Sequence, residues 1–423
     1  MIPSDKGVFQ MKKCVFPIIL ALFLLCFSGC GGKTAPVDAA VPSPTVTPTP
    51  TPTPSPTPTP PPEPTVATLA VCGDVMSHSW QVDYAYDPDT STYDYRPMMA
   101  GAKAYVEEAD LAVANLETTL AGGPEYTGYP RFHSPDALAY NLKDMGFDLL
   151  LTANNHCMDT RVAGLRRTLD VLDEAGLSHV GTSRTQEEAD DNIVVADVGG
   201  ISVAFLGYTY GTNGLPIPDE DFYAVNLFNS DYLTSISTPD VDRLTADLAK
   251  ARAKNADLIC VMIHWGLEYH TTENWYQHDI ADLLIQNGAD IILGGHSHVP
   301  QPIELRTVTL DDGTERTAFV SYSLGNFISA QVDPLTDTTA VLQLQLTRDN
   351  VTGETAVTGW DYQPMFMLRR DGGHSFLLLD SRDALENFDL TDAERKKVES
   401  SVKNLEEILG PAPGLDGSAT PEA

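Results

Sequence analysis

The stretch ADIILGGHSHVPQP (residues 289–302) joins a short apolar run to a pair of histidines, His296 and His298, through two glycines. The run is rich in Ile and ends at glycine, which favours a buried β-strand over a helix. Two imidazoles separated by one residue can point the same way after a strand and bind one cation or bridge two. The stretch therefore predicts a strand that ends at a metal site, with a purely structural histidine pair as the alternative.

Five further apolar runs have a similar length and composition, and polar motifs lie at or near their ends. Functional side chains of an open α/β sheet collect beyond the carboxyl ends of its strands. The sequence therefore predicts an α/β fold with one metal centre. The runs are TLAVC (68–72), ADLAVA (109–114), FDLLLTA (147–153), ADLICVMI (256–263) and TAFVSYSL (317–324), and the motifs are GDVMSH (73–78), NLET (115–118), RFHSP (131–135), NNHCMD (154–159), HWGLEY (264–269) and YSLGNF (322–327).

Four polar residues at the ends of the other predicted strands are candidate ligands. His264 follows ADLICVMI, and an imidazole on a separate strand end makes little packing sense without a metal. Asp74 follows TLAVCG, where a buried carboxylate is costly unless a cation or hydrogen-bond donors compensate it. Glu117 could span two cations, or could act as a helix cap or salt-bridge partner, and Asn155 offers a neutral carbonyl oxygen. With the histidine pair, this mixture predicts two divalent transition metals, Mn, Fe or Zn.

His156 and Asp159 are the candidate catalytic residues. His156 directly follows Asn155, and adjacent residues cannot easily serve one cation in identical roles. We therefore expect His156 to donate a proton to a leaving group. Asp159 comes three residues later, can share a helix face with His156 and can orient its imidazole. The alternative for Asp159 is a carboxylate that stabilises the helix N-terminus.

Four more residues are candidates for the surroundings of the site. Arg131 and His133, in the loop motif RFHSP, are candidates to contact an anionic substrate, with simple solvation as the alternative. Glu268 and Asn326 are candidates to support the metal ligands through hydrogen bonds.

The N-terminal segment MKKCVFPIILALFLLCFSGC (11–30) has two lysines, a short apolar stretch and small residues before a cysteine. This pattern predicts a secretory signal peptide over residues 1–30. Its end resembles the lipobox of bacterial lipoproteins, which implies lipidation at Cys30; an uncleaved membrane anchor is the alternative. In both cases we expect a membrane-anchored protein whose remaining residues lie at the extracellular face.

Proline alternates with threonine in the following segment, which includes TPTPTPTPSPTPTPPPEPT (47–65). Such a chain cannot bury apolar surface and predicts a disordered, extended linker over residues 31–65. Alternating apolar residues around a DNVTGE turn predict a hairpin at 338–368 that closes a second sheet. The remaining expected boundaries are a folded domain at 66–375, a helical segment at 376–410 and a disordered tail at 411–423.

The formal net charge of −33 argues against a nucleic-acid partner and against direct docking on anionic lipid. After the predicted signal and the lipidated residue are set aside, three cysteines remain: Cys72, Cys157 and Cys260. An odd number argues against a disulfide framework. Cys72 and Cys260 lie within apolar runs and are expected to pack as small hydrophobic residues.

The motifs GDVM, NLET, NNHCMD, HWGLEY, GGHSHVPQP and YSLGNF, in this order, resemble the capsule-synthesis CapA family, a branch of the calcineurin-like metallophosphoesterases. The resemblance covers residues 66–330. It implies a four-layer α/β/β/α double-sheet sandwich, a role in poly-γ-glutamate capsule synthesis and membrane capsule-synthesis proteins as partners. It also implies His156 as the catalytic acid and the following metal ligands: Asp74, Glu117, Asn155, His264, His296 and His298.

The chain departs from the usual metallophosphoesterase pattern at two points. Ordinary members begin with Asp-x-His followed by GDxxD, whereas Val75 and Met76 follow Asp74 here, and Glu117 stands in place of the bridging Asp. His78, four residues after Asp74, is a candidate replacement ligand, with a solvent-facing loop histidine as the alternative.

Two functions agree with these motifs. The first is hydrolysis by metal-bound hydroxide of a phosphoester, or of an amide in poly-γ-glutamate or another anionic substrate. The second is a non-catalytic module that binds the polymer through metals or assists its export. Hydrolysis benefits from a proton donor by roughly 10²–10⁴-fold and polymer binding needs none, so His156 favours the enzyme.

Overall fold

The computed structural model describes residues 61–415. The predicted signal peptide, the lipidation site Cys30 and nearly all of the predicted linker lie outside the described residues, as do residues 416–423. No helix within residues 61–415 is both long and apolar enough to cross a membrane.

Residues 61–415 form sixteen β-strands and ten α-helices, with three short 3₁₀ helices at Ala100–Ala102, Asp219–Ala224 and Asp371–Gly373. The strands are β1 (Thr65–Val75), β2 (Tyr86–Asp87), β3 (Thr92–Tyr93), β4 (Leu111–Leu116), β5 (Leu149–Leu151), β6 (Ser178–Val180), β7 (Val194–Val198), β8 (Ile201–Thr209), β9 (Leu258–His264), β10 (Ile291–Gly295), β11 (Pro300–Thr309), β12 (Glu315–Leu324), β13 (Asn326–Ile328), β14 (Thr338–Arg348), β15 (Thr355–Arg370) and β16 (Ser375–Asp380). The helices are α1 (Ser79–Ala85), α2 (Arg96–Met99), α3 (Lys103–Glu107), α4 (Ala137–Asp144), α5 (Arg161–Ala175), α6 (Gln186–Asp190), α7 (Val241–Ala253), α8 (Trp275–Gln286), α9 (Ser381–Asn387) and α10 (Asp392–Leu409).

Two large sheets contain most of the strands. The first has the order β16-β15-β14-β1-β4-β5-β6, with β13 paired to the end of β1, and β1, β4, β5 and β6 run parallel. The second has the order β11-β12-β10-β9-β8-β7, and β8, β9, β10 and β12 run parallel. All six apolar runs that were predicted to be strands form strands, so that part of the prediction is confirmed.

Each central strand is apolar on both faces because each sheet is covered on both sides. In β9, Cys260 and Met262 face the core between the two sheets, whereas Ile259 and Val261 face a second core beneath α7 and α8. In β1, Leu69 contributes to the core between the sheets, and the neighbouring Ala70 to a third core with α4 and α5. The order helix, sheet, sheet, helix confirms the expected four-layer α/β/β/α sandwich.

Cys72, Cys157 and Cys260 are buried and form no disulfide within residues 61–415. Burial raises the pKa of Cys72 and Cys260, and it raises the pKa of Cys157 to about 12. These thiols are therefore protonated at neutral pH and pack as small hydrophobic groups.

The C-terminal part of the domain differs from the prediction in three respects. The hairpin at 338–368 is present, but β14 pairs with β1, so it extends the first sheet rather than closing the second. The segment 376–410 includes most of the edge strand β16, whose apolar residues complete the first sheet before α9 begins. The start of the predicted disordered tail is ordered to residue 415, because the amide of Gly414 donates to the carbonyl of Trp360 (3.1 Å).

Gly73 permits a close approach between β1 and the turn before β13. A Cβ at this position would lie 1.9 Å from the carbonyl oxygen of Gly325, which also accepts a 3.0 Å hydrogen bond from the amide of Asp74. We expect Gly73→Ala to lower the free energy of unfolding by at least about 1–3 kcal/mol, because the backbone at Gly325 must move to make room for the added methyl group. Urea denaturation of Gly211→Ala is the control, since the nearest atom to that Cβ is 3.4 Å away. Equal losses in the two variants would contradict the steric explanation.

Glu394 connects the start of α10 to β15. Its carboxylate accepts two hydrogen bonds from Arg370 (2.8 and 2.9 Å) and one from the amide of Thr391 (2.8 Å). The Arg370 guanidinium lowers the pKa of Glu394 to about 2. A lowered pKa stabilises the fold above the ordinary value near 4.5, and this stabilisation is lost as the pH falls towards 2.

We therefore expect Glu394→Gln to cost about 1–2 kcal/mol at pH 7 and progressively less below about pH 4.5. Thermal or urea unfolding as a function of pH measures the difference. The matched control is Glu399→Gln, at an exposed position of the same helix. A difference between wild type and Glu394→Gln that does not shrink in acid would disprove this role.

Candidate metal centre

The carboxyl ends of strands from both sheets meet and present the predicted ligands. Asp74 near the end of β1 lies beside Asn115 of β4 in the first sheet, and His264 at the end of β9 lies beside Gly295 of β10 in the second. A hydrogen bond of 3.1 Å from the amide of His296 to Asp74 Oδ2 joins the two sets. The predicted residues are thus brought together by the packing of the two sheets.

Three groups of side chains share members. Within each group, the ligand atoms all lie within 4.8 Å of one another. Glu117 belongs to two of the groups, His296 to two and His298 to two, so the groups form one continuous centre. All members are buried except Glu268, which is exposed. The groups are Glu117, His264 and His296; Asp74, Glu117 and His298; and Glu268, His296 and His298.

The backbone between β10 and β11 is strained where it presents the two histidines. His296 has φ 99° and His298 has φ 60°, in the left-handed region that residues with a Cβ rarely adopt. Gly295 precedes them and leaves room for the carboxylate of Asp74, since a Cβ there would lie 2.7 Å from Asp74 Oδ1. Strain of this kind is found mainly at functional sites, where the surrounding packing holds it in place.

The buried donor atoms fit a divalent cation. Glu117 Oε1 and His296 Nδ1 are buried, and neither has a hydrogen-bond partner among the described residues. The nearest imidazole nitrogen to Glu117 Oε1, Nε2 of His264, is 3.5 Å away. Buried polar atoms are normally paired, and an unpaired carboxylate oxygen facing imidazoles is what a cation would satisfy. The set of His, Asp, Glu and Asn oxygens and nitrogens is typical of divalent transition-metal sites.

Burial and neighbouring charges set the protonation of the donor atoms. Burial lowers the pKa of His296 well below its usual value, and His264 and His298 lower it further, so His296 is neutral. Burial would raise the pKa of Asp74, but His298, whose Nδ1 lies 3.7 Å from Asp74 Oδ2, the charge of His264 and the hydrogen bond from Asn115 outweigh it, and the pKa is lowered. Burial also opposes protonation of His298, but Glu117 and Asp74 raise its pKa to about 9. A cation can take the place of that proton between the two carboxylates.

Asparagines support these donor atoms through a network that sequence reasoning only partly anticipated. The amide of Asn115 donates to Asp74 Oδ1 (2.8 Å), and Asn154 donates to Asn115 Oδ1 (3.1 Å). Asn155, a predicted ligand, places its carbonyl oxygen 2.9 Å from Nε2 of His264. Asn115 and Asn154 were not among the predicted site residues, although both lie in the quoted motifs.

His156 and Asp159 form a pair beside the metal centre. Nδ1 of His156 lies 2.7 Å from Oδ2 of Asp159, and the same oxygen accepts a 2.6 Å hydrogen bond from the amide of Phe132. The Phe132 ring contacts the edge of the His156 ring at 4.6 Å between centroids. Helix α5 begins only at Arg161, so Asp159 lies in the preceding turns and its carboxylate orients His156 rather than capping the helix.

His156 lines a pocket of about 430 Å³ that also reaches His298 of the metal centre, and its Nε2 is the ring nitrogen not bonded to Asp159. Asn213 lies at the pocket with its side-chain nitrogen 3.4 Å from that Nε2. Exposed Arg131 contributes to the rim. Among the residues that line the pocket are Met76, Tyr129, Arg131, Glu268, Tyr269 and His298.

The other predicted residues lie at varying distances from this pocket. Asn326 Oδ1 is 3.1 Å from Nδ1 of His298, one of the candidate ligands. His133 lies against Tyr126 (5.3 Å between ring centroids) and is not among the lining residues. His78 is the residue before α1, lies 3.2 Å from the side chain of Gln81 and belongs to none of the three groups. Burial lowers the pKa of His78 to about 4.

Strand β8 was absent from the predicted strands, and two site residues were missed with it. Tyr210 immediately follows β8 and packs against His296, with ring centroids 4.6 Å apart, and Asn213 approaches His156. The signal was present, because the run ISVAFLGYT (201–209) precedes the polar stretch YGTNG (210–214). Phe132 was also missed, since its role depends on a backbone amide.

The family profile described as bacterial capsule synthesis protein PGA_cap matches residues 68–331. The PGA biosynthesis protein CapA of Bacillus subtilis (strain 168) is 33% identical over 226 residues, which cover 52% of this chain and 52% of that protein. The capsule biosynthesis protein CapA of Bacillus anthracis is 30% identical over 296 residues, which cover 67% of this chain and 65% of that protein.

The chain therefore spans about half to two thirds of the length of these two relatives. Among solved structures, the calcineurin-like phosphoesterase YfkN from Bacillus subtilis is similar with a TM-score of 0.37 and 12% identity, over 82% of this chain and 99% of that one. The profile match covers more than half of the chain and includes every strand-end motif of the metal centre. The chain belongs to the bacterial capsule synthesis protein PGA_cap family, in agreement with the resemblance to CapA proteins.

Proposed function

We propose that this protein is a metal-dependent hydrolase of poly-γ-glutamate capsule synthesis that acts on a phosphoester or on an amide link of the polymer. The observation that carries the proposal is the His156–Asp159 pair, which faces the same pocket as His298 of the metal centre. The names of its relatives, PGA biosynthesis protein and capsule biosynthesis protein, support the capsule role.

The metal ligands in this proposal are Asp74, Glu117, Asn155, His264, His296 and His298, and they would hold two divalent transition metals, Mn, Fe or Zn. Such cations lower the pKa of water and polarise a substrate oxygen. Glu117 supports a paired centre because its carboxylate belongs to two of the three groups. Asn115 fixes the carboxylate of Asp74 through its side-chain amide.

The protein's own residues then position the proton and the substrate. Asp159 accepts a hydrogen bond from Nδ1 of His156, which leaves Nε2 directed at the pocket as the site of the mobile proton. Protonated Nε2 can donate to the leaving-group oxygen or nitrogen, and Asp159 stabilises the imidazolium. Arg131 on the rim provides a positive charge for an anionic substrate in a chain of net charge −33.

We further propose that a signal peptide over residues 1–30 and a lipid on Cys30 anchor the protein at the extracellular face of the membrane. The basic, apolar and small-residue pattern before Cys30 supports this location. Membrane capsule-synthesis proteins would then be its partners. Globomycin sensitivity of processing, with loss of lipid labelling in Cys30→Ser, tests the anchor; unchanged labelling in that variant would contradict it.

Activity on a phosphoester panel and on poly-γ-glutamate, with Mn²⁺, Zn²⁺ or Fe²⁺ added to chelator-treated protein, tests the proposed chemistry. Cleavage of either substrate class that depends on metal is the expected result. Metal binding without cleavage of either class would contradict the hydrolase and favour the non-catalytic polymer-binding module.

Removal of metal is expected to lower the thermal stability of the protein. A free metal concentration of about 100 times Kd adds about 2.7 kcal/mol to the free energy of unfolding, because the cation binds only the folded ligand set. Differential scanning fluorimetry with and without chelator measures the shift. His296→Ala is expected to reduce the change in melting temperature that the metal causes. His374→Ala is the control and is expected to retain this change, because His374 is exposed and is not one of the proposed ligands. A wild-type protein that no divalent metal stabilises would contradict the metal centre.

Substitution of His156 separates chemistry from metal binding. We expect His156→Ala to retain wild-type metal content and to lower kcat by roughly 10²–10⁴-fold, because a proton donor is lost while the ligands remain. Metal analysis and steady-state kinetics measure the two properties, and His374→Ala is again the control. A variant that keeps full activity would remove His156 from the mechanism.

A further inference from the structure

The loop after β9 holds Glu268 against the two strained histidines. The amide of Tyr269 donates a 2.7 Å hydrogen bond to the carbonyl of Ser297, between His296 and His298. The amide of Trp265, at the other end of the loop, donates to the carbonyl of Gly295 (3.1 Å). Two backbone bonds therefore attach the Glu268 loop to the histidine segment.

Two residues of this loop have left-handed backbone. Gly266 has φ 88°, and a Cβ there would lie 2.9 Å from the side chain of Gln277. Tyr269 has φ 64° although it carries a Cβ. Residues on both sides of Glu268 thus adopt left-handed backbone, and this arrangement brings its carboxylate to the pocket beside His298.

The carboxylate of Glu268 has two imidazoles as neighbours. One of its oxygens and one ring nitrogen each of His296 and His298 all lie within 4.8 Å of one another. Among the described residues, no hydrogen bond or ion pair to this carboxylate is present. Glu273, five residues later, contrasts with it, because its carboxylate lies 3.2 Å from Nε2 of His278.

A separate observation points to a cation beside His296. His296 is 4% exposed, and its Nδ1 has no hydrogen-bond partner among the described residues. Two residues after Asp74, the buried side chain of Met76 also lines the pocket, and it offers only a thioether. A thioether is a soft, weak ligand for Mn, Fe(II) or Zn, so a carboxylate is the better donor on this side.

We propose that Glu268 is a direct metal ligand that binds the centre from the pocket side, together with His296 and His298. This inference rests on the proposed metal centre. With Glu268 bound, three carboxylates rather than two offset the charge of the cations. Because Glu268 is exposed and attached through a loop, it occupies the face by which a substrate oxygen reaches the metals, and it sets how strongly an anionic group is attracted there.

Metal titration of the mature chain tests this role without reference to activity. Chelator-treated wild type, Glu268→Gln and the control Glu273→Gln are titrated with Mn²⁺ and Co²⁺ by calorimetry. Loss of residues that merely support a ligand costs roughly 10–100-fold in metal affinity. We therefore expect at least about a tenfold weaker Kd for one or more equivalents in Glu268→Gln, and wild-type values in Glu273→Gln.

The absorption bands of bound Co²⁺ distinguish a ligand from a supporting residue, because they respond to the number and type of coordinating atoms. A changed spectrum in Glu268→Gln at saturating metal is expected, and an unchanged spectrum, whatever the Kd, would overturn the inference. Absence of binding in wild type would instead overturn the metal centre itself. Equal melting temperatures of the metal-free proteins show that the exposed substitution leaves the fold intact.

Discussion

The hydrogen bond from the amide of His296 to Asp74 joins the two sheets at the point where their parallel strands end. Asp74 belongs to the first sheet and His296 follows the second, so the site exists only when the sheets are packed in this relation. Gly295 leaves room there for the carboxylate of Asp74. The core between the sheets, which includes Leu69 and Cys260, fixes the relation through apolar burial. Folding and assembly of the site are thus one event.

The site concentrates uncompensated polarity in a dry part of the fold. Glu117, Asp74 and His264 are each 0% exposed, and a protein selected only for stability would not retain such groups without full hydrogen bonding. Asn115 and Asn154 satisfy part of that polarity, and the remainder is directed towards a common centre. Neutral side-chain amides therefore surround the centre, and the charged side chains lie inside it.

The sequence predicted the parts of the structure that depend on local patterning. Apolar runs of five to eight residues identify strands because covered sheets need apolar residues on both faces, and polar residues at their ends identify the site. Pairing between distant strands is not encoded in local patterns. The hairpin that includes Leu344 was therefore expected in the second sheet, whereas Leu344 pairs with Leu69 in the first. The contribution of Phe132 was also inaccessible, since a backbone amide leaves no mark in the residue type.

The loop that carries Arg131 also carries Phe132, whose amide holds the carboxylate of Asp159. One short segment therefore shapes the entrance of the pocket and sets the orientation of His156. An insertion or deletion in this loop would change both properties together. Tyr269, on the loop after β9, also borders the pocket but has no bond to Asp159 or His156 among the described residues, so a change of its side chain would leave the orientation of His156 intact.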